Sequence, residues 1–273
     1  MHMNASYKWL PPIEHLVEEA AAAININGIN YAVMMVTPDD IEDFAIGFLF
    51  SEAIIQYDHD VHDIQITASD SGFMVEVTIA NRCLSALNSK KRRLVGATGC
   101  GICGVEAIEH ALPQLPILPV TRPIDINNLE TLKQRIADSQ IKAQQSGAIH
   151  AALALTAQGD IISCREDIGR HNALDKLIGM LIRQTTAAQK TSCNTLLITS
   201  RCSSELIHKA VLFGANNLIS LASPSQLAVK LALKYNLNII HIPKFSAPIY
   251  YSSYDSHFNV NRLSLSPIGE IHV

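Results

Sequence analysis

Residues 196–242 read LLITSRCSSELIHKAVLFGANNLISLASPSQLAVKLALKYNLNIIHI, and this stretch decides the fold. Three short apolar runs alternate with two longer segments whose apolar residues recur at helical spacing. The predicted strands cover residues 196–199, 218–221 and 237–242, and the predicted helices cover 203–213 and 224–234. Strands that alternate with helices of about ten residues form βαβ units. We therefore predict an α/β protein with a mostly parallel sheet flanked by helices.

The residues before this stretch extend the same sheet. Two further strands are predicted at 148–155 and 160–164, followed by a helix over 171–181. Upstream, 127–145 is predicted to be one helix that ends at Gly147, because glycine is favoured just past a helix C-terminus.

The first part of the chain is predicted to form a smaller α+β portion. Asn27-Gly28 is a strong hairpin signal between two short strands, at 24–26 and 31–36. Thr37 and Pro38 then read as a helix start, with Thr37 as the capping residue. Two more strands are predicted at 64–67 and 72–79.

Composition shifts divide the chain into three parts. Residues 1–112 form the N-terminal α+β region, which ends in a Cys-x-x-Cys loop and its helix. Residues 113–126 are proline-rich and are predicted to be a linker. Residues 127–273 form the predicted α/β domain.

Overall composition excludes several classes of protein. The 273 residues are 48% hydrophobic and 17% charged, which is typical of a folded globular protein. A net charge of −4 argues against general affinity for nucleic acid or anionic membrane. No run reaches the ~18 apolar residues that a membrane helix needs, and no secretory signal is recognisable. With six scattered cysteines, we expect a cytoplasmic protein with reduced thiols.

The most informative motif is Cys100-Gly-Ile-Cys103. Two cysteines at this spacing can share a metal, a disulfide or a sulfur-transfer step. Glycines at 99, 101 and 104 allow a tight, exposed turn. A predicted helix from Val105 and the basic run 90–93 both favour the thiolate, which is the nucleophilic form.

Other interpretations of this motif are a structural metal site, a packed turn and a redox dithiol. The remaining cysteines form no second pair, so we predict no metal site. The density of glycines argues against a merely packed turn. A dithiol redox protein stays open as an alternative.

Two later stretches add candidates for binding an anion. Arg170 and His171 stand at a predicted helix start, and Arg201 follows a predicted strand. His150 begins another strand, and Lys244 follows the last one. Carboxyl ends of parallel strands meet at one edge of a sheet, where ligands bind. Arg201, Ser223 and Lys244 follow three successive predicted strands and therefore predict one composite anion pocket, with ordinary helix capping as the alternative. Arg170 and His171 are separate candidates for holding a phosphate, with a salt-bridged helix start as the alternative, whereas a lone histidine such as His150 is more often structural.

Taken together, these stretches resemble the FdhD family, the sulfurtransferases that activate formate dehydrogenase. The resemblance extends from about Gly28 to Tyr251. The residues that carry it are 27–28, 33–40, the helix through Phe44 with 47–48 and 51–52, 99–106, 147–151, 166–176, and Ser200-Arg201 with Ser203 and Glu205.

The resemblance implies a cytidine-deaminase-like α/β fold and a homodimer. It also implies that Cys100 takes sulfur as a persulfide from a cysteine desulfurase, with Cys103 as its partner. The sulfur would pass to the molybdenum cofactor, bis-molybdopterin guanine dinucleotide, before that cofactor enters formate dehydrogenase. A chaperone that merely binds the cofactor remains the other alternative.

The resemblance further implies which residues bind the cofactor. Its guanine nucleotide is assigned to the loop after the last strand, which comprises Ile242, Pro243, Lys244, Phe245, Ser246 and Ala247. With these we group His150, Arg170, His171 and Arg201. Ser246-Ala247 stands where the family usually has Gly-Arg.

Overall fold

The computed structural model describes residues 16–70, 72–88, 114–126, 128–147, 149–184 and 193–254. They form two mixed β-sheets with helices packed between and around them. The predicted α/β class is therefore confirmed. Within these residues, no helix is both long enough and apolar enough to cross a membrane.

The first sheet is built around the predicted Asn27-Gly28 turn, whose two residues have φ angles of 50° and 74°. Such positive angles are what a tight hairpin turn requires. The strands are β1 (Ala20–Ile26), β2 (Ile29–Val36), β3 (Val61–Ser69) and β4 (Gly72–Ile79). Their order is β2-β1-β4-β3, with β1 and β4 parallel and the other pairs antiparallel.

Helix α1 (Ile41–Ser51) covers the inner face of this sheet. It starts four residues after Thr37, so the prediction that Thr37 caps it is wrong. Asp40 instead precedes the first turn, with a φ of 53°. Thr37 is held by a distant segment: its N–H donates to Asp167 Oδ2 at 3.0 Å, and its Oγ1 accepts from the Ile168 N–H at 3.0 Å.

The second sheet has six strands in the order β10-β9-β8-β7-β5-β6. They are β5 (His150–Leu155), β6 (Ile161–Asp167), β7 (Thr195–Arg201), β8 (Asn217–Ala222), β9 (Asn238–His241) and β10 (Ile249–Tyr251). Only β7–β8 and β8–β9 are parallel among the pairs that these strands form. The expectation of a mostly parallel sheet is wrong, because hairpins add antiparallel strands at both sides of the βαβ units.

Helices cover both faces of the second sheet. One face packs against α4 (Arg170–Gln184), α5 (Ser204–Phe213) and α6 (Gln226–Lys234). The other face packs against α2 (Leu129–Ser139), through Leu132 and Ile136. A short helix α3 (Ile141–Ser146) follows α2 and ends at Gly147, as predicted. The prediction of one continuous helix over 127–145 is wrong, because the chain bends at Gln140, where ψ is 81°.

Residues 114–126, within the predicted linker, contain neither helix nor strand and lie against the second sheet. The Leu118 N–H donates to the Tyr235 carbonyl at 3.1 Å, and Asn236 Nδ2 donates to the Leu118 carbonyl at 2.9 Å. Further along, the Ile124 N–H donates to Asn217 Oδ1 at 3.1 Å. The division of the chain into two domains stays a prediction.

The two sheets are joined where α1 crosses α4. The crossing is close because both helices have a glycine there. A Cβ built on Gly47 would lie 1.8 Å from the Asp175 carbonyl oxygen, and one built on Gly179 would lie 1.9 Å from the Asp43 carbonyl oxygen. The backbones are thus in direct contact, and no larger residue fits.

We expect Gly47→Ala to destabilise the protein by about 3 kcal/mol or more, because its methyl group meets main-chain atoms that cannot move independently. Urea denaturation measures this loss. Gly159→Ala is the matched control, since Gly159 has a φ of 85° and nothing lies within 4 Å of the position that a methyl group would take there. It should lose only about 1–2 kcal/mol through backbone strain. Equal losses in the two variants would contradict the close crossing.

Candidate functional site

The motif at 165–176 forms the centre of a buried polar network. Asp167 ends β6 with no exposed side-chain surface, and Lys176 on α4 has none either. Their charged atoms, Oδ2 and Nζ, are 2.7 Å apart. The Asp167 carboxylate also accepts from the N–H groups of Thr37 (3.0 Å) and Gly169 (2.7 Å), and from Asn172 Nδ2 (3.0 Å). A buried charge needs this degree of pairing to be tolerated.

The same network reaches back to the first sheet. Lys176 Nζ donates to the Thr37 carbonyl at 2.8 Å, and Asn172 Nδ2 donates to the Met35 carbonyl at 2.8 Å. Both acceptors lie at the end of β2 or just after it. The Asp167–Lys176 pair therefore fixes the start of α4 relative to both sheets.

A second buried pair involves Asp175, the residue next to Lys176 on α4. Lys209 Nζ on α5 contacts both carboxylate oxygens of Asp175 at 2.6 Å, and the Ser51 hydroxyl donates to one of them at 2.6 Å. Lys176, the next residue in sequence, is not a partner of Asp175, because consecutive residues point to different sides of a helix. Asp175 faces the contact of α4 with α1 and α5.

Three residues that the sequence did not predict as site residues position this region: Thr37, Glu166 and Lys209. The Glu166 carboxylate accepts from the N–H groups of Lys142 (2.8 Å) and Ala143 (2.9 Å), and so caps the start of α3. Thr37 and Lys209 complete the two buried pairs. The sequence feature that could have indicated these contacts is the pair Glu166-Asp167, since two acids at the end of a buried strand require partners. Nothing local identified Lys209, which flanks the apolar face of α5.

The predicted binding residues lie along one edge of the second sheet. Because β5 is antiparallel to β7, the start of β5 lies beside the end of β7, and His150 is paired in register with Asp167 on β6. Arg201 at the end of β7 pairs with Ala222 on β8. His241 on β9 pairs with Ser220, which lies two residues before Ala222 on the same strand. The structure thus brings His150, Arg170, His171, Arg201 and residues 242–247 to the same edge.

Two histidines at this edge are held in the neutral form. His171 Nε2 on α4 lies 2.6 Å from Glu205 Oε2 on α5, and burial lowers the His171 pKa although the Glu205 charge opposes it. Burial also lowers the His150 pKa, and the nearby charge of Arg170 adds to that effect. Neutral imidazoles can accept as well as donate hydrogen bonds at neutral pH.

Three cations at this edge make no ion pair with any residue in the described ranges: Arg170, Arg201 and Lys244. Elsewhere, cations such as Arg165 and Arg183 are paired, both with Asp43. Cations without a carboxylate partner are available to an anionic ligand. In the described part of the chain, no group of His, Cys, Asp and Glu is arranged to hold a metal ion.

The predicted nucleotide loop is the connection between β9 and β10. Ile242 is only 2% exposed and packs in the apolar core, and its N–H donates to the Ser220 carbonyl at 2.9 Å. Its side chain therefore anchors the loop and faces away from solvent. Phe245, by contrast, is 90% exposed.

Cys100 and Cys103 lie outside the described residues. The four described cysteines are free thiols: Cys83, Cys164, Cys193 and Cys202. Burial raises the pKa of each, to about 12 for Cys164 and Cys202. These thiols are protonated at neutral pH and are therefore poor nucleophiles.

A family model described as FdhD/NarQ matches residues 17–257. The chain belongs to this family. A similar curated protein is the sulfur carrier protein FdhD of Cupriavidus necator, 37% identical over 243 residues, which cover 88% of this chain and 82% of that protein. The resemblance inferred from the motifs is thus confirmed.

The fold is also similar to a solved structure. A crystal structure of a proposed formate dehydrogenase accessory protein from Desulfotalea psychrophila superposes with a TM-score of 0.60 and 20% identity. The match covers 87% of this chain and 88% of that one. It shows that the two chains share a fold.

We expect Lys176→Met to destabilise the protein by about 3–5 kcal/mol, because it leaves the Asp167 carboxylate buried without its counter-charge. Urea denaturation measures the loss. Adding Asp167→Asn to this variant should recover at least half of it, since a neutral pair carries no uncompensated charge.

Lys133→Met is the control for this pair. The Lys133–Glu130 pair is 3.5 Å apart and its glutamate is 86% exposed, so the control should change stability by less than about 1 kcal/mol. If Lys176→Met were as mild as this control, the Asp167–Lys176 pair would not hold the site together.

Proposed function

We propose that this protein is a sulfur carrier that passes persulfide sulfur from a cysteine desulfurase to the molybdenum cofactor of formate dehydrogenase. The cofactor is bis-molybdopterin guanine dinucleotide, bound as a substrate. The observation that carries the proposal is the sheet edge at which Arg170, Arg201 and Lys244 make no ion pair with any described residue, in a chain that belongs to the FdhD/NarQ family. The similar protein from C. necator is itself named a sulfur carrier.

In the first step, the Cys100 thiolate attacks the outer sulfur of the donor's cysteine persulfide. A new bond forms between Cys100 Sγ and that sulfur, while the donor's sulfur–sulfur bond breaks. The donor cysteine leaves as a thiolate, so the step is redox-neutral. Cys100 then holds one extra sulfur atom.

Delivery to the cofactor as sulfide requires two electrons, because the outer sulfur of a persulfide is formally neutral. The Cys103 thiolate provides them by attacking Cys100 Sγ. This closes a Cys100–Cys103 disulfide and releases the outer sulfur as hydrosulfide for the cofactor. A small or protein dithiol then reduces the disulfide and restores both thiols.

The described thiols support the choice of Cys100. Cys164 and Cys202 have pKa values raised to about 12 by burial, and burial likewise raises those of Cys83 and Cys193. A sulfur acceptor has to be a thiolate near neutral pH. That requirement leaves Cys100 and Cys103 as the candidates.

The edge of the second sheet suits the part of the cofactor that does not receive the sulfur. Its guanine nucleotides carry phosphates, which guanidinium and ammonium groups bind well. Arg170, Arg201 and Lys244 would bind these phosphates, and neutral His150 and His171 would contact polar groups. The proposal also includes a cytidine-deaminase-like fold, a cytoplasmic homodimer and formate dehydrogenase as the recipient.

The test is the intact mass of the protein after incubation with a cysteine desulfurase and cysteine. We expect the wild type to gain one sulfur atom, which a reductant removes, and Cys100→Ala to gain none. Cys103→Ala should gain the sulfur but release no hydrosulfide. Cys164→Ser is the matched control and should behave as the wild type, because the Cys164 thiol is protonated.

Two results would contradict the proposal. If the wild type gained no sulfur while still binding the cofactor, the protein would be a cofactor-binding chaperone. If it formed only a reversible Cys100–Cys103 disulfide, it would be a dithiol redox protein.

A further inference from the structure

The first sheet has an apolar patch on its outer face, the face opposite α1. Val33 pairs with Ala23, which pairs with Met74 on its other side, and Met35 pairs with Ala21 in the next row. Val33, Met74 and Met35 are 67%, 50% and 48% exposed. The five side chains are neighbours on one face, because alternate residues of a strand point the same way. A contiguous apolar patch of this kind marks a contact with another molecule.

Acids flank this patch at both of its ends. Glu18 and Glu19 precede β1 and Asp70 precedes β4, so they stand at the end where Met35 pairs with Ala21. At the other end, Glu76 follows on the same face of β4 and its carboxylate accepts from the Asn25 amide. None of these four acids forms an ion pair with a described residue.

The acidity extends over this whole part of the chain. Residues 16–81 contain twelve acids and neither lysine nor arginine, whereas the complete chain has a net charge of only −4. Acids near the second sheet are neutralised by it: Asp39 pairs with Lys142, and Asp43 pairs with Arg165 and Arg183. The acids around the patch have no such partner among the described residues. The patch therefore lies in a region of negative electrostatic potential.

This charge limits what can cover the patch. It would repel nucleic acid and anionic lipid headgroups. A second copy of the chain in two-fold contact would place the patch against itself and bring both sets of acids to one interface. Like charges across an interface oppose binding. An apolar surface bordered by lysine and arginine side chains on a different protein complements both the patch and its acids.

We propose that the outer face of the first sheet is the docking surface for the protein that donates the persulfide sulfur. The donor would contact it with an apolar surface bordered by lysine and arginine. This inference rests on the proposed function, which has two protein partners. Formate dehydrogenase has to reach the cofactor, whose proposed binding residues lie at the cationic edge of the second sheet. The donor has to reach only Cys100.

The chain leads to Cys100 from the first sheet. Leu87 is 2% exposed and packs in the apolar core between α1 and that sheet. Cys100 follows thirteen residues later in the sequence, and thirteen residues span at most about 45 Å. A donor docked on the first sheet is thus next to the part of the protein to which Cys100 is tethered.

Binding of a purified cysteine desulfurase to the full chain, followed by surface plasmon resonance, tests the patch. We expect Val33→Ser combined with Met74→Ser to weaken binding at least about tenfold, because burial of two such side chains contributes this much to affinity. Ile117→Ser combined with Val120→Ser is the matched control. These two side chains are 63% and 54% exposed outside the first sheet, and their loss should leave binding unchanged.

The acids are tested through the rate of association. Glu18→Lys combined with Glu19→Lys should slow association several-fold, because charges at the rim of an interface act mainly on the encounter of the two proteins. The difference from the wild type should shrink as salt rises from about 0.05 to 0.5 M, since salt screens exposed charges. Glu130→Lys is the control: Glu130 is 86% exposed on α2, and its replacement should not change the rate.

Sulfur loading separates docking from the proposed function. Loading by a limiting amount of desulfurase should be slower in the Val33→Ser, Met74→Ser variant than in the wild type. Glutathione persulfide needs no docking and should load both proteins equally: its outer sulfur bonds to Cys100 and glutathione leaves as the thiolate. If neither donor loaded the wild type, the proposed function would fail. If each donor loaded both proteins equally, only the docking surface would be wrong.

Three further results would overturn the inference. One is a wild type that binds no desulfurase, or a double serine variant that binds it as the wild type does. Another is a change in oligomeric state with desulfurase binding intact, which would assign the patch to a contact between copies of this chain. The third is a lower urea midpoint for the double serine variant, which would show that another segment of the same chain covers the patch.

Discussion

The buried pair of Asp167 and Lys176 is the interaction on which the rest of the structure depends. Asp167 ends a strand of the second sheet, and Lys176 lies two turns into the helix that follows. Through Thr37, both contact the end of β2 in the first sheet. One pair of charges thus sets the start of α4, the position of the first sheet, and the point from which Arg170 and His171 face the sheet edge. Removing either charge would disturb all three at once.

In the same arrangement, most charged side chains are paired inside the protein, and a few make no ion pair among the described residues. Within the motif at 165–176, the acids and Lys176 are used internally: Glu166 caps α3, Asp167 binds Lys176, and Asp175 binds Lys209. Arg170 is left without an ion pair among the described residues. A dense run of charged residues therefore serves two purposes, because most of it joins the helices while one cation stays free for a ligand. The sequence of the motif alone does not show which of its charged residues are paired inside the protein.

Local signals predicted most elements of the fold, and distant contacts account for the errors. The Asn27-Gly28 hairpin and the Gly147 helix end were predicted correctly, since each depends on the backbone freedom of one or two residues. Thr37 was assigned wrongly because its partner, Asp167, lies 130 residues away. The bend at Gln140 follows from Glu166, which caps the next helix from another strand. The sequence predicted that the binding residues lie at one edge of the second sheet, because neighbouring parallel strands end at the same edge. It did not predict that β5 runs antiparallel to β7.

The glycine crossing of α1 and α4 has a consequence for motion. Because the two backbones touch at Gly47 and Gly179, neither helix can slide or rotate past the other without a main-chain clash. Amide protons of both helices should then exchange with solvent only when the whole protein opens, as a single cooperative unit. The two sheets therefore stay fixed relative to each other at this crossing, and a hinge between them would require the main chains of both helices to separate.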